Sequence, residues 1–186
     1  AFSCSHRSHA SVEGITKHIP SYFGLQITQE IEALKKITSE IKRPVSLIIG
    51  GSKISTKISI INNLAKKFNN IIIVGGMANT MLKHTGYKVG RSICENNCSS
   101  LVKEILDISK KFNCKIVCPV DSVVSKSIDG VGQNKDIKEI DDDEMILDIG
   151  PKTILLIKKI INNSNTVLWN GPAGYFENPN FQNGTK

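Results

Sequence analysis

From Val45 onward the chain alternates short unbroken apolar runs with longer segments in which apolar residues recur every three or four positions. The runs at 45–49, 71–74, 115–117 and 166–169 predict strands, being rich in Val and Ile and bounded by Gly, Asn and Pro. Between the first two, Ile54, Ile58, Ile61, Ala65 and Phe68 share one helical face, which puts Lys53 and Lys57 in a first turn, four residues apart. A second helix is predicted from Met77 to about Gly86, and a third from Ser99 to Phe112 on Leu101, Ile105, Ile108 and Phe112. Pro151, at a favoured first helical position, opens a fourth carrying Ile154, Leu155, Ile157 and Ile161. Upstream, Ile31, Leu34, Ile37 and Ile41 mark a helix from Thr28 to Ile41, which Arg43-Pro44 ends. No internal repeat is present. Alternating strands and helices predict an α/β fold, a parallel sheet with helices on both faces in the Rossmann-like manner.

A length of 186 residues suits one domain, or one and part of a second, with a substantial core. Hydrophobic residues make up 40%, yet no apolar stretch approaches the ~20 residues of a membrane span, so no membrane partner is expected. The chain begins with Ala1 and shows no signal-peptide pattern, so a fragment of a cytoplasmic protein is the expectation. A net charge of +7 suits phosphorylated metabolites, nucleic acid or an anionic surface. The basic residues are dispersed, and aromatic content of 5% leaves few stacking platforms, which weighs against nucleic acid.

Five cysteines, an odd number, predict free thiols. Cys94 and Cys98, with Cys114 and Cys118, have a spacing that invites zinc, but the second pair brackets a strand and stands about 13 Å apart along it, too far to share one ion. His6 and His9, with Cys4 nearby, lack an evident fourth ligand, and the acidic run Asp141 to Glu144 reads as solvated. No metal site is expected from these residues.

The lysines after the first strand, in Gly50-Gly-Ser-Lys-Ile-Ser-Thr-Lys57, break two local rules if the helix begins at Ile54. Like charges one turn apart repel, and the positive end of a helix dipole disfavours cations. A bound anion would relieve both, since free N–H groups and two ammonium groups form a phosphate cradle. Two solvated surface lysines are the other reading, and these residues alone leave both open. The motif fits neither GxxxxGK[ST] nor GxGxxG. Two further glycine-rich strand ends follow, Val74-Gly-Gly-Met-Ala-Asn-Thr80 and Asn170-Gly-Pro-Ala-Gly-Tyr-Phe-Glu177. Three such turns at strand C-termini lie where open α/β sheets bind ligands, which points to a nucleotide. Arg7, between two histidines and two serines, suits bidentate phosphate binding.

Taken together, AFSCSHRSHAS, RPVSLIIGGSKISTK, GGMANT, PVDSVV, LDIGPK and WNGPAGYFE occur in an order that resembles phosphoglycerate kinase along nearly the whole chain. The resemblance implies a two-domain, monomeric glycolytic kinase that transfers a phosphoryl group reversibly from 1,3-bisphosphoglycerate to ADP, giving 3-phosphoglycerate and ATP with Mg2+. It implies that Arg7 binds the phosphate of phosphoglycerate, that Lys53 neutralises the migrating phosphoryl group, that Lys57 holds nucleotide phosphates, and that Gly51 also belongs to the nucleotide site. By the same carry-over Gly75, Gly76 and Leu147 flank the adenine, Asn170 and Pro172 adjoin the nucleotide, and Glu177 accepts from the ribose hydroxyls. Val74 stands where the family has a third glycine, and is expected to narrow the purine slot or alter the turn.

The resemblance divides the chain into the end of a substrate domain at 1–27, an inter-domain helix and linker at 28–43, and a nucleotide domain at 44–186. The family's metal-holding aspartate and most substrate ligands fall outside these residues. The isolated chain is therefore expected to be inactive. A non-catalytic nucleotide-binding remnant and a basic RNA-associated protein are the competing readings.

Overall fold

The computed structural model describes residues 2–186, so Ala1, the first residue of the AFSCSHRSHAS motif, lies outside the described residues. The chain divides into two compact units, Ala1–Ile41 and Lys42–Lys186.

In the first unit, short helical turns at Phe2–Cys4, Ala10–Gly14 and Ile15–Lys17 precede a helix α1, Leu25–Thr38. The helix begins and ends three residues earlier than the Thr28 to Ile41 expected from its apolar spacing. Gly24 is its N-cap and accepts the Thr28 N–H at 3.1 Å, and the Thr28 hydroxyl bonds back to the same carbonyl instead of capping. At the other end the Ser39 and Glu40 N–H groups both turn to the Lys35 carbonyl, closing the helix well before Pro44.

The second unit is built on a parallel sheet of four strands, β1 Val45–Ile49, β2 Asn70–Ile73, β3 Lys115–Val117 and β7 Thr166–Asn170, in the order β3-β2-β1-β7. Helices α2 Ile58–Ala65, α3 Gly75–His84, α4 Ser99–Phe112 and α5 Pro151–Asn162 complete its α/β pattern. Ile48, Ile72 and Val117 face one side, where Ile157 of α5 joins their cluster and Ile154, Leu156, Ile160 and Ile161 pack against it. Strand alternation turns Leu47, Ile49, Ile71 and Ile73, all buried, to the other side, where α2 meets β2 and α4 meets β3. Each such isoleucine contributes roughly 1.5–3 kcal/mol by leaving water. Leu155, placed by its spacing on the buried face of α5, is 66% exposed instead, and Leu156 takes its place.

A second sheet was not foreseen. Its strands β4 Asp121–Ser125, β5 Gln133–Asp136 and β6 Met145–Ile149 run antiparallel in the order β5-β4-β6. The pattern hid it because β5 is wholly polar and β4 buries all five residues, Asp121, Ser122 and Ser125 among them. Leu82, Val89, Val124, Ile137 and Ile140 form the apolar cluster on this sheet.

Two expectations near the first two strands need correction. Lys53 and Lys57 are not paired on a helix: residues 54–57 form a turn closed by the Lys57 N–H on the Ile54 carbonyl, and α2 starts only at Ile58 with Lys57 as its N-cap. Beta-branched Ile54 and Thr56 favour a helix weakly, and the Thr56 hydroxyl bonds the Lys53 carbonyl. The helix expected from Met77 begins at Gly75, with Val74 as its N-cap; Gly75 adopts φ +65° at this junction, and Met77 donates to the Gly51 carbonyl at 2.9 Å, docking the two glycine turns on each other.

Candidate functional site

The ends of β2, β1 and β7 lie side by side, and the glycine turns after them meet at one cavity of about 350 Å³. The backbone approaches there are too close for side chains. A Cβ on Gly50 would overlap the Pro172 carbonyl, and one on Gly76 would stand 3.1 Å from the Ser52 backbone. The cavity is lined by Gly51, Gly75, Gly76 and Asn79 from the first two turns and α3, and by Leu147, Pro172, Tyr175 and Glu177 from β6 and the segment after β7. The walls are mainly apolar, with backbone amides at the glycine end and a carboxylate at the rim, as a small planar ring bearing a polar tail requires.

Of the residues singled out in the sequence, Gly51, Gly75, Gly76, Leu147, Pro172 and Glu177 come together around this cavity. Lys57 and Asn170 stand apart from its lining at the strand ends, where the lysine Nζ donates to Asn170 Oδ1 at 3.0 Å. That contact ties the turn after β1 to the end of β7. Lys53, on the turn before Lys57, is also outside the lining. Arg7 belongs to the first unit, where its N–H donates to the Cys4 carbonyl. Val74 does not narrow the cavity. It is fully buried in the core with Ile48 and Ile72, in an extended conformation that a β-branched residue adopts readily.

Several polar residues at the site were not singled out individually in the sequence, although Asn79 and Asp148 lie inside the GGMANT and LDIGPK motifs. Asn79, on α3, donates to the Ile93 carbonyl at 3.1 Å and lines the cavity. Glu95 accepts from the Ser55 N–H at 2.9 Å and the Ser55 hydroxyl at 2.6 Å. Burial pushes its carboxyl up, but these hydrogen bonds and the charge of Lys53 outweigh that, and it titrates below the usual carboxylate range. Asp148, at the cavity floor, accepts from the Ile149 and Gly184 N–H groups at 2.8 Å each; burial still raises its pKa. The Asn79–Ile93, Glu95–Ser55 and Asp148–Gly184 contacts could be placed only by a fold, since their partners are 14, 40 and 36 positions apart in sequence.

The acidic run is paired with lysines, Asp141 and Glu144 with Lys135, Asp142 with Lys88 and Asp143 with Lys126. Among the described residues no three His, Cys, Asp or Glu side chains converge on an ion position. The oxygens of Asp148 are already taken by amides, leaving Glu177 as the cavity's other carboxylate, so these residues do not form a resident magnesium site. All five cysteines are free, and burial pushes the Cys114 and Cys118 thiols up to about 11 and about 12.

A family model described as phosphoglycerate kinase matches residues 1–186. The chain belongs to the phosphoglycerate kinase family. A phosphoglycerate kinase of Rhizobium meliloti is 46% identical over 187 residues, covering 100% of this chain and 47% of that protein. One from Xanthobacter autotrophicus is 44% identical over 179 residues, covering 95% of this chain and 45% of its own length. The solved phosphoglycerate kinase of Coxiella burnetii superposes with a TM-score of 0.89 at 34% identity, covering 100% of this chain and 48% of that one. The family likeness extends to the fold of the parallel sheet, and the chain spans about half the length of the relatives it matches. Among the described residues no helix is long and apolar enough to cross a membrane.

Proposed function

We propose that this chain supplies the nucleotide-binding part of a cytoplasmic, monomeric phosphoglycerate kinase, which moves a phosphoryl group between 1,3-bisphosphoglycerate and ADP. The observation that carries the reading is the meeting of three glycine turns at one apolar cavity, beside the Lys57–Asn170 contact. Adenine lies between Gly75-Gly76 and Leu147, with Pro172 alongside, and Glu177 accepts from the ribose hydroxyls. Gly51 and Lys57 receive the phosphates. Phosphoryl transfer consists mostly of positioning and of stabilising charge on the equatorial oxygens. In that scheme Lys53 faces the migrating group, and Arg7 holds the phosphate of 3-phosphoglycerate with its guanidinium fork. Magnesium, bound with the nucleotide, would neutralise phosphate charge; its protein ligand belongs to other residues of the family.

The 186-residue chain alone then binds ADP weakly, without sensitivity to magnesium, and forms no ATP. Calorimetry with ADP, with and without magnesium, beside a coupled assay for ATP, tests both halves. A folded chain with no ADP affinity would overturn the reading of the cavity, and turnover would overturn the division of labour. A non-catalytic remnant is the weaker reading, because the family match runs through every residue of the chain. Nucleic acid is not a partner in this account.

A further inference from the structure

The turn over residues 52–57 carries both lysines, is not part of a helix, and is closed internally by the Lys57 N–H on the Ile54 carbonyl and the Thr56 hydroxyl on the Lys53 carbonyl. Among the described residues, its side-chain hydrogen bonds to the rest of the unit are Lys57 to Asn170 and Ser55 to Glu95. The second is bidentate. Glu95 Oε2 takes the Ser55 N–H, and Oε1 takes the Ser55 hydroxyl, so both position and rotation of the turn are set.

Glu95 is itself anchored. Its own N–H donates at 3.0 Å to the Thr80 hydroxyl, which donates in turn to the Gly76 carbonyl at 3.1 Å. Two residues earlier the Ile93 carbonyl accepts from Asn79. The segment 93–95 is thereby fastened to α3, the helix whose first turn lines the cavity, and it reaches from there to the lysine turn.

A carboxylate beside a phosphate site opposes phosphate binding through its charge, so a field argument alone would predict its absence. We propose that Glu95 is a positioning residue that holds the Lys53–Lys57 turn in place for the phosphates of the nucleotide. The proposal rests on the nucleotide reading of the cavity. Its consequence is selective: Glu95 matters for ligands with phosphates and not for the nucleoside, which uses the cavity alone.

The test is calorimetric binding of ADP and of adenosine to the full chain and to Glu95→Ala, Glu95→Gln and Ser55→Ala. Glu95→Ala is expected to weaken ADP about tenfold, the size of one charged hydrogen-bonded contact, and adenosine by less than about twofold. Glu95→Gln keeps an acceptor for Ser55 and sheds the charge, so its loss should be the smaller one. Ser55→Ala should add nothing on top of Glu95→Ala. In the absence of ligand, amide exchange over residues 52–57 should quicken in Glu95→Ala, which reports the clamp independently of binding. Equal weakening of adenosine and ADP would make Glu95 a merely structural part of the wall, and unchanged or tighter ADP binding in Glu95→Ala would leave only an opposing charge; either overturns the proposal. A wild-type chain that binds neither ligand removes the nucleotide reading and this proposal with it, whereas ADP binding that ignores Glu95 removes the proposal alone.

Discussion

Replacing Asp121 with alanine removes the anchor between the two sheets' environments at the start of α5. The helix has Gly150 as its N-cap, so no local side chain serves its first N–H groups. Asp121, buried on β4, does so from across the fold: Oδ2 accepts from Lys152 N–H at 2.9 Å, and Oδ1 accepts from Thr153 N–H at 2.8 Å and from the Thr153 hydroxyl at 2.7 Å. The backbone joins in, with Gly150 N–H on the Asp121 carbonyl at 3.0 Å. A negative charge here also meets the positive end of the helix dipole.

The magnitude follows from what each donor would do next. Lys152 is exposed, so its N–H can turn to water at little cost. Thr153 is 1% exposed, and its N–H would be orphaned, costing about 1–3 kcal/mol. Its hydroxyl keeps the Asp121 carbonyl at 3.1 Å. Loss of the cap and dipole terms adds about 1–2 kcal/mol, while relief of the buried charge gives some of this back. The sum is about 3 kcal/mol, or roughly 6–12 °C in Tm for a chain of this size. Urea unfolding of the two chains, at unchanged slope, measures it. Gly150 supplies an internal control, because a Cβ there would overlap the Asp121 carboxyl. Gly150→Ala should be costly in the wild type, by about 2 kcal/mol, and nearly neutral once Asp121 is alanine. A loss below about 1 kcal/mol for Asp121→Ala, or additive effects in the double variant, would refute the anchoring argument.

The two central strands of the parallel sheet were legible because they are buried on both faces and therefore read as continuous apolar runs, as at Val45–Ile49 and Ile71 to Ile73. The second sheet was illegible for the converse reason. Strand β4 buries Ser122 and Ser125, and β5 reads Gln-Asn-Lys-Asp, so hydrogen bonding and pairing set these strands where hydropathy does not. The glycine turns were legible as motifs, and six of the residues chosen from them and from Leu147 do surround one cavity. Periodicity misplaced Lys53, since a 3.6-residue spacing continues through Ile54 although the Ser55 N–H is spent on Glu95, forty positions away. Helix patterns describe what a segment can bury, and say nothing of a distant acceptor that takes its first donors.

In an enzyme of full family length carrying this sequence, Lys53→Ala is expected to lower kcat about a hundredfold or more while changing nucleotide affinity little, since the side chain serves the transition state; a near-normal kcat in steady-state assays would return it to the solvated surface. Arg7→Lys keeps the charge but loses the fork, so KM for 3-phosphoglycerate should rise about tenfold with ADP binding unaltered, and an unchanged KM refutes the assignment. The pH dependence of stability gives the last prediction, through Asp148. Burial raises its pKa above the ordinary carboxylate value, in spite of the amides of Gly184, Ile149 and Asn183 that pull it down. Between the unfolded value and the raised folded value the native state therefore binds more protons than the unfolded chain, and the linkage slope is negative. The contribution of Asp148 to stability is fully present below the unfolded pKa and is lost as pH rises through the folded one. Asp148→Asn cannot titrate, so the difference in urea midpoint between wild type and variant should move steadily in the variant's favour as pH rises from about 4 to about 7, while all other groups cancel. A difference that stays constant, or that moves in the wild type's favour, would mean that the amide hydrogen bonds outweigh desolvation at the cavity floor.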